Sequence, residues 1–407
     1  MSNSTMHTIR LQDGRVCNLN RQRNSSGVTL LSLLEHIPDP RNSSGRRHSL
    51  VLILLIVFIG LLRGSKDIKD AQLFARMNQR FFVDLFNEPL RHGIPASSTI
   101  TRLMARLNPA TLVTVYPEFL QALGTDLDEV LSYDGKTMCA VPDKDNVRHI
   151  LSLFSHDSHQ ALGQVGVSGK GKEIPAFEEL LVQTKANDLV TGKLLMGDAL
   201  HTQKATVKAT LKAGADYLSV VKGNQKQLRR EIQAELKKVD KSQLDSYSYV
   251  DTTRRRDVVT TVTILRATSA GAEMLPNLTR SNHWDGVQTI GLIARSGTRT
   301  TKDGVIHELN EAIGLISSRR LTAEVAASHL KNHWCIENNL HWVKDVVFNE
   351  DRHSLRTGNA PQVMSWLRSM VISLCNALKL RSISDTIHNL EKSTRLLGKF
   401  LRMVAVI

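Results

Sequence analysis

EVLSYD at 129–134, RHILSLFS at 148–155 and ALGQVGVS at 161–168 are three short apolar runs separated by turn-like links, and they read as an antiparallel meander of strands. A helical stretch follows at 173–186, with Ile174, Phe177, Leu180 and Leu181 on one face, and then a strand, KLLMGD, at 193–198. A second helix at 203–213 leads through Gly214 into another strand, DYLSVVK, at 216–222. Three strands followed by helix, strand, helix and strand predict a mixed sheet of five strands with helices on its faces.

That order is the one found in ribonuclease-H-like folds, so the expected class is α/β with a catalytic core beginning in 126–222. The pattern breaks at 223–312, where a charged helix, RREIQAELKK, is followed by the strand-like runs DVVTTVTILRA, VQTIGLIARS and EAIGLIS. This reads as a β-rich insertion. Helices resume in 313–380, the C-terminal part of the core, and a basic tail closes the chain at 381–407.

Upstream, 28–125 reads as a helical N-terminal domain and a candidate for DNA binding, preceded at 1–27 by a polar leader expected to be disordered. Residues 94–99, IPASST, supply a turn and an N-cap before ITRLMARL, whose Arg102 and Arg106 suit the second helix of a helix-turn-helix. An ordinary capped surface helix fits the same residues. LVLILLIVFIGLL at 50–62 is apolar throughout, but a bilayer span needs about 20 residues. It therefore predicts a buried helix, and no membrane association is expected.

The chain has 407 residues, 41% of them hydrophobic, which is ample for a core. Lysine and arginine outnumber aspartate and glutamate by 53 to 39, giving a net charge of +14 that suits a phosphate-bearing partner. Cys17, Cys139, Cys335 and Cys375 are scattered, which predicts neither a zinc ribbon nor a disulfide framework and points to a reducing cytosol.

Asp134 ends the first strand in YDGK and Asp198 ends a later one in GDALHTQ, so the proposed sheet would set both carboxylates at one crevice. A third acid comes from the run HWCIENNLHWVK at 333–344. With helical spacing, Leu330, Trp334, Glu337, His341, Lys344 and Phe348 share a stripe, and Glu337 borders the face that packs on the core. Three clustered carboxylates repel one another unless cations are bound. Hard oxygen ligands favour magnesium, with manganese able to substitute. Two such ions roughly 3.5–4 Å apart clamp an in-line phosphoryl displacement, with Asp134 bridging both and Asp198 and Glu337 each holding one.

Cations and amides near these acids are candidate DNA contacts. Lys344 follows Glu337 on its stripe, and Lys222, Asn224 and Gln225 form a strand end and turn that could meet a phosphate. Lys136, His341 and Arg102 complete the set. Trp334 and Trp342 could stack on an unpaired base, with at least one of them expected in the core. A rival reading places zinc on His333, Glu337 and His341, but it lacks the HExxH order and ignores both aspartates.

Taken together, GIPASSTITRLMARL, YDGKT, GDALHTQ, DYLSVVKGNQ and HWCIENNLHWVKDVVFNEDRHSLRTGNA make the chain resemble DDE-type transposases of bacterial insertion sequences, in the branch that includes the H-repeat-associated proteins. The resemblance covers nearly the whole chain. It implies a ribonuclease-H-like core with a β insertion, magnesium-dependent cleavage at element ends and strand transfer into target DNA. It carries the family's three acids onto Asp134, Asp198 and Glu337, and its lysine onto Lys344. The pattern departs at Leu330 and His333, where relatives often have tyrosine and arginine, and at 252–257, where TTRRRD replaces an HGRIE-like segment. The implied setting is the bacterial cytoplasm and nucleoid, with a homodimer on DNA and no small-molecule substrate. An inactive DNA-binding relic of such an enzyme remains the alternative.

Overall fold

The computed structural model describes residues 8–10, 16–18, 29–87, 89–124, 128–138, 149–167, 169, 172–253, 255–268, 283–301, 303–353, 355–380 and 382–403. In chain order the regular elements are β1 (Thr8–Arg10), β2 (Val16–Asn18), α1 (Leu30–Glu35), α2 (Leu50–Leu62), α3 (Ile68–Met77), α4 (Gln79–Phe86), α5 (Ser97–Arg106) and α6 (Ala110–Ala122). Next come β3 (Val130–Thr137), β4 (His149–Ser155), β5 (Ala161–Val167), α7 (Glu173–Ala186), β6 (Leu194–Gly197), α8 (Lys204–Lys212), β7 (Asp216–Val221) and α9 (Lys226–Lys238). The last are β8 (Asp245–Thr253), β9 (Arg256–Arg266), β10 (Thr289–Thr300), β11 (Ile306–Ser317), α10 (Ala323–Asn332), α11 (Ala360–Ala377), α12 (Ile383–Lys392) and α13 (Thr394–Met403).

Two compact units share this chain. The first is Met1–Leu127, Gly135–Glu173 and Ile336–Ile407, and the second is Asp128–Asp134 and Ile174–Cys335. Strand β3 divides between them after Asp134.

In the first unit, α2 is the apolar run LVLILLIVFIGLL, and every residue of it except Val51 is buried. A helix apolar on all sides needs neighbours on all sides. It finds them in α1, α3, α11 and α12. Ser49 caps it by accepting the Leu52 N–H. Among the described residues no helix is long and apolar enough to cross a membrane. The second buried helix, α11, packs on α2, α5, α6 and β5, and Tyr116 fixes its side of the core through a 2.8 Å hydrogen bond to Ser373 and an edge contact with Trp366. Helix α5 begins after Ala96, so Ser97, Ser98 and Thr99 lie inside its first turn rather than capping it. Within the stretch expected to be a disordered leader, β1 and β2 pair as an antiparallel hairpin. The remainder of that leader falls outside the described residues.

The second unit shows why alternating side chains make a sheet a divider. Strand β3 pairs β6 and β6 pairs β7 in parallel, then β7 pairs β11 antiparallel, and β11, β10, β9 and β8 follow as antiparallel neighbours. Val130, Leu194, Met196, Leu218, Ile313 and Leu315 pack on one face beneath α10, through Ala323, Ala326, Ala327 and Leu330. Tyr217, Val221, Ile290 and Ile316 face the other way, onto Val207 of α8 and Leu228 and Ile232 of α9.

The full strand order is β5-β4-β3-β6-β7-β11-β10-β9-β8, nine strands where five were expected. The mixed α/β class stands, and the strand count is corrected by the segment read as an insertion: Gly314 to Ser317 of β11 pair with Val221 to Leu218 of β7, so the sheet runs on through it.

Candidate functional site

Parallel pairing fixes where two of the acids emerge. Tyr133 of β3 partners Gly197 of β6, and Asp134 and Asp198 are the next residue on each strand. Gly197 makes the pairing possible, because a Cβ there would run into the Tyr133 ring. The ring is buried, packed 4.4 Å from Phe177 and 5.3 Å from His201, and burial pushes its hydroxyl pKa upward. Asp134 does not end its strand, since β3 continues to Thr137, but it stands where pairing with β6 stops. Asp198 is exposed and turns back to accept the Ala199 N–H at 2.6 Å, which caps a one-turn 3-10 helix, Ala199–His201.

His333 lies against both acids. Its Nδ1 is 3.1 Å from Ser132 Oγ, two residues before Asp134. Burial lowers the imidazole pKa, the carboxylates of Asp134 and Asp198 pull it up, and His201 and Lys222 push it down, with a lowered value as the result. The ring is therefore neutral near pH 7 and leaves the charge of the two acids uncompensated. Sequence reasoning gave His333 no part in the acidic site; the only sign was its position four residues before Glu337.

Lys222, exposed at the end of β7, belongs to the same neighbourhood. Asn224 and Gln225 take a different part from the one expected. The Asn224 amide donates to the Ala199 carbonyl at 2.6 Å, and the Gln225 amide donates to that of Thr202 at 2.9 Å. Both amides tie the turn after β7 to the turn that carries Asp198.

Trp334 is 52% exposed and lines a cleft of about 360 Å³ on the second unit with Tyr249, Lys331, Arg256, Arg295 and Arg299.

In the first unit, the segment bearing Glu337 is not an α-helix. Glu337–His341 and Val343–Val347 are two π-helical turns, a rare conformation with one residue more per hydrogen-bonded ring. The stripe expected from α-helical spacing is broken accordingly. Glu337 is exposed while Lys344 is 1% exposed, and Trp342 is also at the surface, at 55%. At least one tryptophan was expected in the core, yet Trp334 and Trp342 both meet solvent.

Lys344 has a buried ion network around it. Its ammonium donates to Ser365 Oγ at 2.9 Å, and Lys136 lies 2.7 Å from Asp345, 2.9 Å from Asp351 and 3.4 Å from Glu350. Arg368 reaches Glu350 at 3.1 Å. Burial opposes charge on Glu350, but Lys344, Arg368 and Lys136 outweigh it and bring the carboxyl down to about 2. For Lys344, burial together with the repulsion of Lys136 and Arg368 outweighs Glu350, and the ammonium falls to about 8. One fully buried acid thus serves several cations. Lys344, Lys136 and His341, all expected at DNA, are at most 9% exposed, so their polar ends are committed inside the fold. Arg102 is exposed on α5, as a DNA contact requires.

Among the described residues no three His, Cys, Asp or Glu side chains converge closely enough to hold a metal ion. The pair at the β3 and β6 ends nevertheless has the right chemistry for half a site: two carboxylates beside an uncharged ring, offering the hard oxygens that divalent cations prefer.

Acids leaving neighbouring strands of a mixed α/β sheet are the mark of a DDE-domain transposase, and the chain belongs to that family. The model described as "Transposase DDE domain" matches residues 121–374, and that described as "DDE_Tnp_1-associated" matches residues 31–120. Its relatives include "Putative protein YbfL" of Escherichia coli K12, 30% identical over 85% of this chain and 91% of that one. The "H repeat-associated putative transposase YhhI" of the same strain is 29% identical over the same shares. "Putative transposase YncI" of E. coli O157:H7 is 27% identical over 86% of this chain and 88% of that one.

Proposed function

We propose that the chain binds the ends of its insertion sequence, cleaves the DNA there with divalent cations and joins the freed 3′ ends to a target. The observation that supports this most directly is the register of Tyr133 with Gly197, which delivers Asp134 and Asp198 together beside His333.

Asp134, Asp198 and Glu337 are the oxygen ligands of this reading, for magnesium or in its place manganese. When bound, such ions stabilise the charge of an in-line phosphoryl displacement. Asp134 and Asp198 supply the negative field that draws cations in, and neutral His333, fixed by Ser132, does not cancel it. Lys222 offers a cation at the adjacent strand end for an incoming phosphate, while Asn224 and Gln225 hold the Asp198 turn in shape. Arg102 contacts DNA from α5, and Trp334 and Trp342 present rings on which an unpaired base stacks. Lys136, His341 and Lys344 act through packing in this reading. The enzyme works in the cytoplasm on the nucleoid, as a dimer that brings two ends together.

The test is cleavage of duplexes carrying the flanking ends, with magnesium, manganese or EDTA, comparing wild type with Asp198→Asn. Metal-dependent nicking that vanishes in the variant is the expected result. Binding without cleavage under every metal would overturn it in favour of an inactive DNA-binding relic.

A further inference from the structure

Helices α4 and α13 approach closely at Phe81 and Gly398. A Cβ on residue 398 would stand 3.3 Å from the Phe81 ring, so a residue that costs a helix roughly 1 kcal/mol relative to alanine sits where the two helices close. That approach sets Arg80 of α4 beside Arg395, Lys399 and Arg402 of α13, which recur at helical spacing along one face. The four cations line a cleft of about 500 Å³ whose charged lining includes one carboxylate, Asp84.

Arg80, Arg395 and Arg402 are exposed, and none has a hydrogen-bond or ion-pair partner among the described residues. Other guanidiniums of this chain are tied down, Arg41 to Asp39 and Arg319 to Glu129 and Asp216. Like charges gathered in one cleft lie within about the 8 Å Debye length of physiological salt, so screening leaves part of their repulsion in place. A polyanion removes it. At about 1.5 Å of rise per residue, Arg395 and Arg402 stand roughly 10 Å apart along α13, a length over which one strand of duplex DNA carries about three phosphates at 3.4 Å each. A row of cations at that spacing fits a phosphate backbone rather than a single anion.

We propose that the cleft between α4 and α13 seats the sugar-phosphate backbone of duplex DNA, a contact surface independent of Asp134, Asp198 and Glu337. The proposal rests on the transposase reading and names a surface that grips the duplex. It reads charge and not base sequence, because guanidiniums on phosphates carry no base information.

The experiment is binding of the full chain to a duplex of arbitrary sequence across a range of salt concentrations. Each phosphate contact contributes about 0.9 to the slope of log affinity against log salt. Replacing Arg395, Lys399 and Arg402 together by alanine lowers that slope by roughly 2 to 3, and Arg395→Lys with Arg402→Lys keeps most of it. Arg80→Ala, on the opposite wall, lowers it by about 0.9 and serves if the triple variant does not fold. Wild type that binds DNA while a folded triple variant and Arg80→Ala keep its slope and affinity would overturn the cleft and leave the transposase reading intact. Wild type that binds no DNA at low salt would overturn both.

Discussion

Tyr133 and Gly197 are partners in parallel register, and the tyrosine ring fills the space that a Cβ on residue 197 would need. Gly197→Ala therefore displaces the ring and the strand ends that carry Asp134 and Asp198. Overpacking of this kind costs about 1–3 kcal/mol. The expected outcome is a lowered melting temperature and a loss of cleavage beyond what the folded fraction explains. Trimming the ring in Tyr133→Leu should make the double variant less damaged than the two single effects added; strict additivity would refute the contact.

Lys344 separates a packing role from a DNA contact. Lys344→Met keeps the volume of a buried side chain whose charge is disfavoured, so it costs less than about 1.5 kcal/mol. It also leaves the salt dependence of DNA binding unchanged. Glu350→Gln removes the acid that the cations share and costs about 3–5 kcal/mol, as uncompensated buried charge does. A reduced salt slope in Lys344→Met, read from the same titration, would return the lysine to the DNA surface.

The same network sets two pH windows. The Glu350 carboxyl titrates lower in the folded chain, about 2 against an ordinary 4.5, so its stabilisation is complete above 4.5 and is lost as pH falls toward 2. The Lys344 ammonium also titrates lower when folded, about 8 against 10.5, so the unfolded chain holds the extra proton between those values and stability rises with pH across them. Denaturant midpoints measured against pH should lose the acid limb in Glu350→Gln and the alkaline rise in Lys344→Met.

Asn224 is expected to act through the Asp198 turn. Asn224→Ala removes its bond to Ala199 and costs about 1 kcal/mol. Cleavage should fall while the salt slope of binding stays constant. A slope lowered by about 0.9 would instead make Asn224 a phosphate contact.

Arg102, exposed on α5, should behave in the opposite way. Arg102→Ala is expected to leave stability within about 0.5 kcal/mol, as surface changes do. It lowers the salt slope by about 0.9. No change in slope would make α5 an ordinary surface helix.

What the sequence disclosed followed from what periodicity can report. Strands β3 to β7 and the buried helix α2 stand out because their apolar runs are continuous. Strand β8 was missed: DSYSYVDTT has almost no apolar alternation, and Ser246 and Ser248 pair with Thr263 and Thr261 through hydroxyls instead. The burial of Lys344 was invisible for another reason, since Glu350, Ser365 and Arg368 reach it only through folding. Asp134 and Asp198 were legible as strand-end acids, but the ring of His333 beside them required three dimensions.

The π turns have an arithmetic consequence. Each is an α turn carrying one extra residue, so 337–347 behaves as a helix into which residues have been inserted. Removing one residue, Asn338 for example, would let the first wide ring close to an α ring and rotate everything after it by about 100°. Lys344 would swing out of its cage of Glu350 and Ser365, and the face that Glu337 presents would acquire a different set of neighbours. The length of this loop-free stretch, counted to a single residue, thus fixes which charges are sheltered and which meet solvent.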